Sequence, residues 1–229
     1  MKTRIVVAVL VVLIGLFAAL QWWLPQTAAQ TIAAEVETST GYDNVGVSVK
    51  AFPAWSLLGG KADGITIKIS ALRDMVLPLE QLTLDWQNVD LNRFWQERCV
   101  FEAQWDATSL NSLFSNDLGP VQDMIADVKN GVIEIQGNLT LYGNAQAVTL
   151  RLKPSFDEVG AFVLQLVDMT AGDEDLKTFL GDKIEDIFTF QLQANFLPGT
   201  LRVTGTEWQN NGQLKVWGEY VPDTNTTTK

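Results

Sequence analysis

The chain has 229 residues, 47% of them hydrophobic, with 16 Lys and Arg against 27 Asp and Glu for a formal net charge of −11. That acidity, spread along the chain, excludes a nucleic-acid surface, which needs clustered cations, and simple electrostatic adhesion to anionic lipid. Histidine is absent, which removes Ser/His and Cys/His catalysis and the commonest metal ligand, and Cys99, as the single cysteine, leaves no intrachain disulfide.

Residues 5–24, IVVAVLVVLIGLFAALQWWL, carry no charge and one strongly polar side chain, Gln21. A helix of that length crosses a bilayer core of ~30 Å. Lys2 and Arg4 are the only charges before Glu35, and basic flanks stay cytoplasmic, so the rest of the chain is expected outside the cell membrane. A cleaved signal peptide is the competing reading, with Thr27-Ala28-Ala29 as its cleavage site, and the protein would then be secreted. The unbroken apolar run Ile5–Leu20 is longer than a signal core, and Trp22-Trp23 sits where an interfacial aromatic belt belongs. The expectation is an uncleaved single-pass anchor over residues 1–25, a main domain over 26–220 and a polar, disordered tail over 221–229.

After Pro25, QTAAQTIAAEVETS predicts a short helix with Ile32 and Val36 on one face. From Val45 the hydrophobic period becomes two. It recurs at Val45–Val49, Ile65–Ile69, Leu82–Trp86, Phe101–Trp105, Ile133–Leu141, Val148–Leu152, Phe162–Leu166, Leu201–Val203 and Leu214–Val216. One apolar and one wet face per strand predicts an antiparallel sheet. Lys129-Asn130-Gly131 joins Met124–Val128 to the next strand as a hairpin, and Tyr142-Gly143-Asn144, Asp157–Gly160 and Asn210-Asn211-Gly212 mark further turns. Two helices interrupt the sheet. One is capped by Thr108, carries Leu110, Leu113 and Phe114, and ends near Gly119-Pro120. The other starts at the acidic Asp173-Glu174-Asp175 and runs through Leu176, Phe179, Leu180, Ile184, Ile187 and Phe188.

FPAWSLLGGKADGITIKI, residues 52–69, resembles the signature of the LmeA-like phospholipid-binding family of bacterial envelopes: Phe52-Pro53-Ala54, Leu57-Leu58, Gly60, then an alternating strand. The order of further segments extends the resemblance over roughly 26–220. These are VGVSVKAFP, WDATSLNSLF with Leu110-Asn111, NGVIEIQG, and FLPGTLRVTGTEWQNNGQLKVWG with Leu197-Pro198 ahead of its hairpin. The resemblance implies an α+β fold of the tubular lipid-binding type, a strongly curved antiparallel sheet wrapped around one or two helices with an apolar groove. It implies a phospholipid or related acyl lipid as partner, a role in envelope lipid maintenance, and neither catalytic residues nor a cofactor.

Trp86, Phe101, Trp105, Phe162, Leu164, Phe179, Ile184 and Phe188 project from apolar faces and are the candidates to line such a groove. Ordinary core packing is the bland alternative. Phe52, Trp55, Leu57 and Leu58 fall in a segment that breaks the strand period, where they either cover the end of the sheet or dip into a membrane. Asp123/Asp127 and Asp182/Asp186 stand four apart, as a carboxylate pair on a helix would, but such spacings arise by chance in an acidic chain. Asp173–Asp175 lacks the spacing of a calcium loop. Asn138 and Asn225 begin glycosylation sequons, which mean little in a bacterial envelope. Cys99 alternates with Phe101, Ala103 and Trp105, as a buried structural cysteine would. The competing functional class is a non-catalytic structural or protein-interaction domain with a filled core and an unidentified protein partner.

Overall fold

The computed structural model describes residues 2–42, 44–72, 79–105, 121–129, 131–141, 144–171, 174–175, 189–190, 199–209 and 212–222. These residues form mostly antiparallel β-sheet with one N-terminal apolar helix.

Helix α1 runs Lys2–Thr40 without a break, with Pro25 inside it. The separate short helix expected after Pro25 is therefore the second half of α1. The pattern of cover explains the continuity. Phe17, Gln21, Leu24, Pro25, Ala28, Ala29, Ile32 and Val36 form one partly or fully buried stripe, while Val9–Leu16 and Trp22-Trp23 face outward. Spacings of three and four keep these residues on one side of a 3.6-residue helix. Tertiary contact on both sides of Pro25 holds the helix through a residue that weakens it.

The first sheet has the order β1 (Val45–Lys50), β2 (Lys61–Leu72), β3 (Leu79–Asp90), β4 (Cys99–Trp105), β12 (Leu214–Pro222), β11 (Gly199–Trp208). The second has the order β10 (Thr189–Phe190), β8 (Phe162–Ala171), β7 (Asn144–Phe156), β6 (Val132–Leu141), β5 (Val121–Lys129), with β9 (Glu174–Asp175) also on β8. Every pairing is antiparallel. The nine alternating runs and Met124–Val128 all fall on strands. In β3, Leu82, Leu84, Trp86 and Val89 are buried and Asp85, Gln87 and Asn88 are not.

Lys129 lies opposite Val132 across the β5–β6 connection, and Gly131 in it sits at φ +77°. Only glycine adopts that φ without penalty. In the β7–β8 turn, the Asp157 carboxylate accepts hydrogen bonds from the amides of Val159 and Ala161, at 3.0 and 2.7 Å.

Two further expectations change. Glu174 and Asp175 do not open a helix: they pair with Ala171 and Thr170 of β8, so the ladder takes up their backbone groups. Asp123 and Asp127 lie on strand β5 rather than on a helix. The helix expected over 108–119 and the 176–188 part of the second one lie outside the described residues.

The two sheets meet at β11. Val203 donates its amide to the Gly160 carbonyl of the β7–β8 turn at 2.7 Å, and Trp208 packs over Gly131 of the β5–β6 turn. A single apolar core runs from Ile32 and Val36 of α1 through Ile65, Leu84 and Phe101 of the first sheet to Ile133, Leu150 and Phe162 of the second.

Gly218 sits where β4, β12 and β11 pass closest. A Cβ there would run into the Arg202 carbonyl and lie 2.8 Å from the Phe101 ring. At Gly46 a Cβ would meet nothing nearer than 3.9 Å. Gly218→Ala is therefore expected to destabilise the fold by ~1–3 kcal/mol or more, as overpacking does, and Gly46→Ala to change it little. Urea unfolding of the two variants checks the contrast.

Glu102 of β4 and Lys215 of β12 form a cross-strand ion pair at 2.6 Å. Partial burial pushes the Glu102 carboxyl up, but the Lys215 ammonium, the Gln104 amide and the Lys68 charge outweigh it and hold it below its ordinary value. The unfolded chain takes up that proton first, so the pair's stabilisation is present at neutral pH and is lost as pH falls through the folded value. Lys215→Met should cost no more than ~1 kcal/mol at pH 7. Its deficit against the parent chain should close on acidification, as followed by thermal melts across pH.

Candidate functional site

The residues singled out from the sequence fall into three groups. Trp86, Phe101, Trp105, Phe162 and Leu164 are all buried. Phe179, Ile184 and Phe188 lie outside the described residues. Phe52, Trp55 and Leu58 are 71, 53 and 76% exposed, while Leu57 is half-buried against the core.

The first group divides by environment. Trp86 belongs to an aromatic cluster on the first sheet, edge-on to Phe94, Trp95 and Tyr220 at 5.3, 5.6 and 6.4 Å. Its indole N–H donates to the Glu97 carbonyl at 3.2 Å, and the Tyr220 hydroxyl donates to the Trp95 carbonyl at 2.9 Å. The polar tips of Trp86 and Tyr220 both have partners, the usual condition for burying Trp and Tyr. Trp86 therefore has the surroundings of an ordinary structural tryptophan.

Trp105 differs. It comes from the first sheet and stacks on Phe162 of the second, rings 17° apart with centroids at 5.2 Å. Among the described residues its buried Nε1 has no hydrogen-bond partner, and neither has that of Trp208 beside the same sheet junction. An unpaired buried N–H costs ~1–3 kcal/mol, so both are donors an acceptor in the interior would satisfy. Trp208 was not singled out from the sequence. Its alternating position in the closing hairpin resembles any core tryptophan, and only the packing of the sheets sets it apart.

The Phe52–Leu58 segment is a 3₁₀ turn, Ala54–Gly59, closed by Gly60 at φ +74°. Three of its four large side chains do not cover the sheet end. The turn is held against α1 instead. The Gln21 side chain donates from Nε2 to the Ala51 carbonyl at 2.7 Å and accepts at Oε1 from the Ala54 amide at 2.8 Å. Phe17 lies edge-on to Trp55 and Phe52 at 5.3 and 6.5 Å. The Asp63 carboxylate accepts from the Phe52 amide at 2.6 Å. Phe17 and Gln21 are thus functional candidates the sequence reading missed. The signal for Gln21 was present, as the one amide in an otherwise apolar run.

The carboxylates form no catalytic arrangement among the described residues. Asp123 accepts from the Asn138 amide at 3.3 Å, and Asp127 pairs with Lys129 at 3.4 Å. No three described metal-ligating side chains converge. Burial pushes the Cys99 thiol up, the setting of a structural cysteine rather than of an activated one.

The family model described as LmeA-like phospholipid-binding matches residues 19–215. No curated protein and no solved structure matches the chain significantly.

Truncation separates the groups. Trp105→Ala should cost ~3–5 kcal/mol, as removal of a buried aromatic does. Leu58→Ser should stay within ~0.5 kcal/mol, as at an exposed site. Chemical denaturation of the two variants reads both values.

Proposed function

The chain belongs to the LmeA-like phospholipid-binding family, and on that premise we propose that it is a membrane-anchored, extracytoplasmic protein that holds a phospholipid or related acyl lipid in an apolar groove. The family match carries this reading. It begins at Ala19, inside the apolar helix, and spans both sheets.

α1 supports the anchor. By length and composition it can cross a membrane, and Lys2 and Arg4 at its start orient the main domain outward. Cleavage after Ala29 would remove six of the eight residues of the docked stripe, Phe17 and Gln21 among them, which argues for an anchor that is kept. The remainder, 26–220, acts as the lipid-binding domain. Its sheets are of the curved, tubular lipid-binding type, and its service is envelope lipid maintenance.

Trp105, Phe162 and Leu164, at the junction of the sheets, are the described residues best placed to contact an acyl chain, with Trp86 and Phe101 as their support. Phe179, Ile184 and Phe188 complete the proposed lining. Binding is by shape and apolar contact, since a net charge of −11 gives no general attraction for an anionic headgroup. The burial of Trp86, Phe101, Trp105, Phe162 and Leu164 favours the second reading, a structural or protein-interaction domain with a filled core.

A chain starting at Gln26 keeps Ala28, Ala29, Ile32 and Val36 and decides between them. Purified without detergent, it is expected to carry roughly one acyl lipid per molecule by mass spectrometry, and to regain one after delipidation. Protein that neither retains nor takes up lipid would leave the filled-core reading standing.

A further inference from the structure

We propose that the Phe52–Leu58 turn is embedded in the outer leaflet beside α1, as a wedge that Gln21 clamps to the membrane helix. The proposal rests on the reading of α1 as a kept anchor, and it follows from a mismatch of lengths. The docked stripe of α1 begins at Phe17. If the domain stopped at the membrane surface, only Ile5–Leu16 would remain to cross it. Those 12 apolar residues span about 18 Å at 1.5 Å each, against a hydrocarbon core of ~30 Å. Counting Phe17–Leu24 restores the full length. Gln21, the Ala54–Gly59 turn and Phe17 then sit within the outermost ~10 Å of the apolar layer.

The turn has the surface for that depth. Nothing between Phe52 and Gly60 is charged. Phe52, Trp55 and Leu58 stand exposed, and large exposed apolar groups gathered in one place mark a contact surface. Lys50 and Lys61 flank the segment and are exposed, placed to reach phosphates while their stems lie along the apolar layer. Asp63, the nearby acid, is engaged by the Phe52 amide.

Gln21 supplies the independent observation. An amide inside a membrane segment is costly unless paired. Here both its donor and its acceptor are used, and they satisfy two backbone groups of the turn at 2.7 and 2.8 Å. Backbone away from regular structure is tolerated at membrane depth only where protein satisfies it. The occupant is therefore the bilayer that holds α1, and a water-soluble partner would leave the length mismatch unexplained.

The test uses the full chain reconstituted into phosphatidylcholine vesicles with one-fifth phosphatidylglycerol. A polarity-sensitive fluorophore is attached to Leu58→Cys, Leu13→Cys or Val159→Cys in turn. Cys99 is buried and should stay unlabelled, as the unsubstituted chain verifies. Nitroxide lipids quench at shallow or deep positions. Leu13 should be quenched most by the deep lipid, Leu58 at least twofold by the shallow lipid, and Val159, on the β7–β8 turn, by neither. Quenching at Leu13 with none at Leu58 would overturn the wedge and leave the anchor intact. No quenching at either would remove the anchor reading, and the proposal with it. Gln21→Leu keeps the segment apolar but releases the turn. It should at least halve the Leu58 quenching without changing that of Leu13, and unchanged Leu58 quenching would overturn the clamp.

Discussion

The structure depends on one helix that is exposed along its first half and buried in the core of the sheets along its second. Among the described residues nothing covers the outward face of α1 over Val9–Leu16, whereas Ile32 and Val36 are buried in the core of the sheets. Between them the stripe Phe17, Gln21, Leu24, Ala28 shifts from covering a turn to covering a sheet. Because the helix does not break at Pro25, the position of the sheets along α1 is set by packing and not by a linker. A helix of 39 residues is about 58 Å long, enough to cross a bilayer and still reach the core. That rigidity lets a local contact, the Gln21 amide on Ala51 and Ala54, fix where the turn sits along the helix.

The sheets were legible because their signal is short-range. Alternation over five residues, as in Ile65–Ile69 or Leu82–Trp86, has one physical cause: a strand with one face in the core. The turns at Gly131 and Asp157–Gly160 were legible because their turn chemistry is written in adjacent residues. Glu174 and Asp175 fall on a strand because the preference of negative charge for a helix start is weak, worth a few tenths of a kcal/mol to about 1. Two backbone pairings with Thr170 and Ala171 override it. Pro25 misled in the same way, since its local cost of about 3 kcal/mol is smaller than the burial gained by the stripe on either side.

The candidate site was legible in its residue types and not in their arrangement. Trp86 and Trp105 look alike in sequence, each closing an alternating run. The structure gives Trp86 a hydrogen-bonded cluster within its own sheet, and Trp105 a stacked partner from the other sheet and an indole N–H unpaired among the described residues. That difference is set by contacts 57 residues apart, between Trp105 and Phe162, which no local pattern encodes. Gln21 and Ala54 are likewise 33 positions apart. The exposure of Phe52, Trp55 and Leu58 was undecidable from sequence, because a turn rich in large apolar residues reads the same whether it covers a sheet or faces lipid.

The proposed lipid site and the proposed wedge meet in one energetic constraint. An acyl chain in a bilayer is already dehydrated, so moving it into an apolar groove gains little hydrophobic free energy. The barrier lies in the passage, where each exposed CH₂ costs ~0.8 kcal/mol. A chain of about 14 such groups drawn through water would face on the order of 10 kcal/mol. The acidic surface offers no electrostatic compensation, because it repels anionic headgroups. A protein of this composition is left with geometry as its means of lowering the barrier, by keeping apolar protein surface in continuous contact with the leaflet so that water never intervenes. The proposed wedge, an uncharged turn that Gln21 holds against α1, would meet that requirement.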